Sequence, residues 1–181
     1  MRNDPDNVKA VAELAIEYKD KIIGFDIAGP ELNFLPSMYK DSFLKVKNEG
    51  INITIHAGEG DGVHSIQEAL DNGAKRIGHG VRIIEDISDD NELGHTADFV
   101  LQNKIPLEIC ITSNLHTNMY KSPQDHPILR LNDLGFNISV NTDNRLMSNT
   151  SIDNELKIAT IAGVHNPSSL LKYSASDSFL N

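Results

Sequence analysis

Apolar positions along this chain gather into short runs, and between the runs they recur at helical spacing. The runs are Ile22-Ile23-Gly24-Phe25, Ile51-Asn52-Ile53-Thr54-Ile55, Ala74-Lys75-Arg76-Ile77, residues 106–111, and Phe136-Asn137-Ile138-Ser139-Val140. Each reads as a strand. Helix-period segments over 37–48, 63–72, 91–103 and 126–134 separate them. Another, over 6–19, precedes them all, with Val8, Val11, Leu14, Ala15 and Tyr18 on one face. Glycines in Asn48-Glu49-Gly50, Asp71-Asn72-Gly73 and Asp133-Leu134-Gly135 mark helix stops before the next strand. This alternation predicts an α/β fold with a parallel sheet, either open and doubly wound or closed into a barrel. No linker or low-complexity stretch divides residues 1–181, so one domain is expected.

Every run leads into a polar or glycine-rich tag. The tags are Asp26-Ile27-Ala28-Gly29-Pro30-Glu31, His56-Ala57-Gly58-Glu59, Gly78-His79-Gly80, Thr112-Ser113-Asn114 and Asn141-Thr142-Asp143-Asn144. Proton-moving and metal-binding side chains at the C-terminal ends of buried parallel strands are how a β/α barrel builds its active site. A doubly wound nucleotide binder would carry G-x-G-x-x-G after its first strand, and the chain has none.

His56 and Asp143, at the ends of two different strands, are candidate ligands of one zinc ion, since imidazole and carboxylate are usual donors to it. Glu59 follows His56 closely enough to give or take a proton beside the metal. His79 stands between two glycines that let the backbone approach a ligand, and Gly29 likewise leaves room for a flat substrate. Taken singly, each has a plainer reading. A strand-end histidine is commonly hydrogen-bonded scaffold, Glu59 fits a cap for the helix starting near Val63, and Ser113 and Asn114 fit caps of the following loop. His64, His95, His116, His126 and His165 lack such settings and read as surface or structural histidines.

Composition narrows the partners. Acidic residues outnumber basic ones by 26 to 16, a formal net charge of -10, which argues against a nucleic acid partner. No apolar run approaches the roughly 20 residues of a membrane span, and the N-terminus lacks the apolar core of a secretory signal, so no membrane partner and a cytoplasmic location are expected. The single cysteine, Cys110, lies in an apolar run and is expected to be a buried thiol. No serine sits in a G-x-S-x-G elbow, which leaves metal-assisted hydrolysis ahead of covalent catalysis.

In this order, over about residues 22–149, the tags resemble the adenosine deaminase family of zinc hydrolases, a branch of the barrel amidohydrolases. The resemblance implies a (β/α)8 barrel of which the chain supplies about five C-terminal βα units, the first three strands being missing. It implies zinc as the cofactor, His56 and Asp143 as zinc ligands, Glu59 as proton donor to the purine ring nitrogen, His79 as the residue orienting the attacking water, and Gly29 as a purine contact. Asn144 stands where the family commonly has a second aspartate facing the purine. It keeps an acceptor oxygen there and adds donors. The implied reaction converts adenosine, a small purine nucleoside, to inosine and ammonia. Adenine or a modified purine is the alternative substrate, and a non-catalytic fragment acting by association the alternative role. The family's first strand also carries a His-x-His pair that supplies two more ligands, and no His-x-His occurs in this chain. The chain alone is therefore expected to be impaired, and to self-associate or pair with a separate N-terminal piece.

Overall fold

The computed structural model describes residues 2–171 and 178–179. Five parallel strands lie side by side in chain order: β1 (Phe25–Ile27), β2 (Ile53–Ala57), β3 (Arg76–His79), β4 (Leu107–Ile109) and β5 (Ile138–Val140). Helices α1 (Pro5–Glu17), α2 (Lys40–Asn48), α3 (Val63–Asp71), α4 (His95–Gln102), α5 (Ile111–His116), α6 (Ile128–Asp133), α7 (Arg145–Ser148) and α8 (Ile152–Ile161) precede, connect and follow them. Parallel neighbours in strict sequence order, each reached through helix, are the build of an open part of a β/α barrel. The sheet is thus the partial barrel that the family resemblance implied.

Strands β1, β2 and β3 begin and end later than the apolar runs suggest. Ile22 and Ile23 precede β1, and Ile23 is 58% exposed, whereas the ladder runs on through His56 and His79. The cause is the difference between the two faces. Phe25, Ile27, Ile53, Ile55, Ile77, Leu107, Ile109, Ile138 and Val140 form a buried apolar face. The register aligns Asp26, Thr54 and Arg76 in one row and His56, Gly78, Glu108 and Ser139 in the next, so the other face is polar. Alternation of that kind lets hydrophobicity fade before the ladder does.

Local signals explain several helix boundaries. Asp4 caps α1 by accepting the N–H of Asn7, with Pro5 in the first turn, and Ser151 caps α8 by accepting that of Asn154. The segment expected over 91–103 is helical only from His95, because Leu93 pairs with Ile87 in an isolated antiparallel bridge. Thr112, Ser113 and Asn114, expected in a loop after β4, lie inside α5. Cys110 is buried as expected, and burial pushes its thiol well above the ordinary value. Among the described residues, no helix is long and apolar enough to cross a membrane.

Candidate active site

The site grows from the C-terminal ends of β2 and β3. After His56 and Ala57 the chain turns at Gly58, where φ is 74° and an added Cβ would meet Ile66 Cδ1 at 2.5 Å. Only glycine fits there. The turn that follows is held by Glu31, the last residue of the first tag. Its carboxylate accepts the backbone N–H groups of Gly58 (2.9 Å), Glu59 (2.8 Å), Gly60 (3.2 Å) and Asp61 (3.1 Å). It also pairs with His56 Nε2 at 3.2 Å, and its side chain is fully buried. Burial pushes this carboxyl up, but His56 and the amide donors outweigh it and hold it at about 2.

His56 Nε2 lies 3.3 Å from Glu59 Oε2 as well. Desolvation lowers the His56 pKa, and the two carboxylates more than offset this, holding the ring at about 9. The His79 ring packs against it with centroids 4.3 Å apart. Burial, and then the charge on His56, lower the His79 pKa, so the adjacent rings share a single positive charge. His79 Nδ1 sits 3.3 Å from Asn114 Nδ2 and 3.5 Å from Glu59 Oε1, and its Nε2 is 3.9 Å from Asp143 Oδ2. Burial raises the Glu59 carboxyl, and the two histidines more than offset that, holding it below its ordinary value.

Asp143, exposed just beyond the end of β5, accepts the Ser113 hydroxyl at 2.7 Å. Both His79 (φ 63°) and Asp143 (φ 53°) occupy the left-handed region, a strain of order 1 kcal/mol or more apiece that clusters at functional sites. His56, His79 and Asp143 line one cavity of about 180 Å³ together with Asp26, Ala28 and Cys110. One ligand atom each from His56, Glu59 and His79 lie within 4.8 Å of one another. Two imidazoles and neighbouring carboxylates are zinc-type donor chemistry.

Of the residues singled out by sequence, the structure brings together His56, Glu59, His79 and Asp143, the last through Ser113 and His79 rather than within the compact trio. Gly29 (φ 115°) follows Ala28, which lines the cavity, while Gly29 itself does not. Asn144 uses its carboxamide oxygen to cap α7, accepting from Leu146 and Met147. Two contributors, Glu31 and His126, were not singled out, and Asn114 was read only as a cap of the following loop. Glu31 was legible only as a carboxylate closing a glycine-proline turn, and His126 gave no signal beyond its residue type.

The sequence matches the adenosine deaminase family over residues 1–174. The chain belongs to the adenosine deaminase family. It is 46% identical over 154 residues to an adenosine deaminase of Mycolicibacterium vanbaalenii and 48% identical over 153 residues to adenosine deaminase 1 of Streptomyces coelicolor. These matches cover 82% and 81% of this chain but 42% and 39% of those proteins, so the chain spans about two fifths of the relatives' length. The apo structure of an N6-methyl-AMP deaminase from Arabidopsis thaliana superposes with a TM-score of 0.80 at 26% identity, covering 99% of this chain and 52% of that one. An adenine deaminase from Arthrobacter aurescens shares the fold, with a TM-score of 0.76 at 23% identity over 98% of this chain and 50% of its own. The five-stranded sheet thus corresponds to about half of a family barrel.

Proposed function

We propose that this chain carries the proton-transfer residues and part of the zinc site of an adenosine deaminase, converting adenosine to inosine and ammonia in cytoplasmic purine salvage. The observation that carries the reading is the convergence of His56, Glu59 and His79 within 4.8 Å beside Asp143, on a chain 46% identical to an enzyme of that name. The donor set fits zinc, with His56 and Asp143 as its ligands. When bound, zinc supplies a water whose pKa falls toward about 7.

The chain's own residues do the rest. Glu59, within reach of both histidines and held ionised by them, takes up a proton released by the attacking water and passes it to the purine ring nitrogen, making C6 electrophilic. Neutral His79 holds the attacking water through the nitrogen that faces Asp143. In the net reaction the water oxygen bonds to C6, the C6–N6 bond breaks, and nitrogen leaves as ammonia. Gly29 gives the flat base room beside the cavity wall formed by Ala28, and Asn144, its oxygen committed to capping, offers its amide nitrogen to the purine.

The chain holds two of the zinc ligands that the resemblance implies, and loss of a partner of a ligand alone costs about 10- to 100-fold in affinity. Weak zinc binding and little turnover by the chain alone follow, with activity recovered on pairing with the barrel's N-terminal strands. The test is adenosine deamination by the purified chain mixed with a polypeptide carrying the barrel's N-terminal strands and with added zinc, followed by ultraviolet absorbance, with Glu59→Gln as control. Turnover lost in the variant supports the reading. Turnover equal in both sinks it. The same assay on adenine and on N6-methyl-AMP decides between adenosine and the substrates in the names of the solved relatives.

A further inference from the structure

His126 lies outside the cavity, yet it is only 3% exposed. Its Nδ1 accepts the backbone N–H of Ile128 at 3.2 Å. A backbone amide nitrogen donates and cannot accept, so Nδ1 is bare and the proton of the neutral ring is on Nε2. Nε2 lies 3.2 Å from Asn114 Oδ1. That contact decides which way the Asn114 carboxamide faces, a choice otherwise open for any asparagine. With its oxygen toward His126, Asn114 directs its amide nitrogen to Glu59 Oε1 at 3.1 Å and His79 Nδ1 at 3.3 Å. Nδ2 has two hydrogens, one for each.

We propose that His126 is a positioning residue: through Asn114 it presents amide donors to Glu59 Oε1 and His79 Nδ1, fixing Oε1 as an acceptor and leaving the His79 proton on Nε2, toward Asp143. The proposal leans on the deaminase reading only for the use made of Glu59, since the hydrogen bonds exist whatever the substrate. Burial supports it by keeping His126 uncharged, its pKa lowered to about 3. The edge-on packing of Tyr120 on the ring, centroids 4.8 Å apart, holds His126 in place.

Long-range proton–nitrogen NMR of the histidine rings tests this on the full chain at neutral pH, without substrate or metal. In the parent, His126 and His79 should each show a bare Nδ1 and a protonated Nε2. His126→Phe keeps a ring against Tyr120 and removes the donor. His79 should then change from one tautomer to a mixture. His126→Gln loses the ring and restores an amide donor toward Asn114, so His79 should return to its single tautomer. A packing role predicts the opposite order, with Phe the milder change. A parent His126 protonated on Nδ1, or His79 unchanged in a folded Phe variant, overturns the proposal. Should neither variant fold, the parent tautomers alone decide it. Deaminase activity enters none of these readings, so failure of that function and failure of this relay are separable.

Discussion

Burial of a neutral imidazole beside α6 gives the protein a pH dependence that one residue accounts for. His126 has an ordinary pKa of 6.5 and is lowered to about 3 by desolvation in the fold. Above the ordinary value both folded and unfolded chains hold the ring neutral, and its contribution to stability is complete. Between that value and about 3 the unfolded chain takes up a proton that the folded chain refuses, so stability falls with pH at up to about 1.4 kcal/mol per unit. Acidic groups titrate in the same window, so the comparison must be with a variant. Urea midpoints of the parent and His126→Gln should differ most near about pH 7 and converge toward about pH 4. Curves that stay parallel would mean that His126 is not held neutral.

Between residue and molecule, the turn after β2 shows how one element is shaped by another. Glu31, placed by the loop after β1, accepts four consecutive amide hydrogens and one imidazole, so it shapes the backbone that carries Glu59. Glu31→Gln turns a donor toward donors and leaves a buried amide unpaired, which should cost about 3 kcal/mol. Glu49→Gln, at the exposed Lys19 pair, should cost far less. Chemical denaturation of both variants checks the contrast, and equal losses would show that the clamp adds nothing beyond surface charge. The same elements show what the sequence could tell. Strand order, the glycine stops and the placement of His56, Glu59, His79 and Asp143 were legible, because periodicity and strand-end tags are local patterns. Glu31 and His126 were not, since each acts by folding back on a segment distant in the chain. Helix α5 was missed because it starts at Ile111, inside an apolar run that reads wholly as strand, and α7 and α8 fell beyond the last tag considered.

On the scale of the whole molecule, β1 and β5 each have one strand neighbour among the described residues, so the sheet has two open edges. The β1 edge carries an apolar groove. Val11, Leu14, Ala15, Tyr18, Ile22 and Phe25 line a groove of about 590 Å³ beside it, and Leu14 is 54% exposed. A surface of this kind is covered in stable proteins. The occupant we propose is the β/α unit preceding β1 in the barrel, because this chain fills only 52% of a solved relative that it overlays with a TM-score of 0.80. Mixing the chain with a polypeptide carrying the unmatched N-terminal part of the Mycolicibacterium vanbaalenii relative should give a one-to-one complex by light scattering, with tighter zinc binding than either part alone. Leu14→Lys places a charge in the groove and should weaken that complex while leaving the fold of the chain intact, as read by circular dichroism. A chain that ignores the added polypeptide and pairs only with itself would assign the groove to a second copy. A mass of 20.0 kDa under every condition would mean that the open edge is not a pairing surface at all.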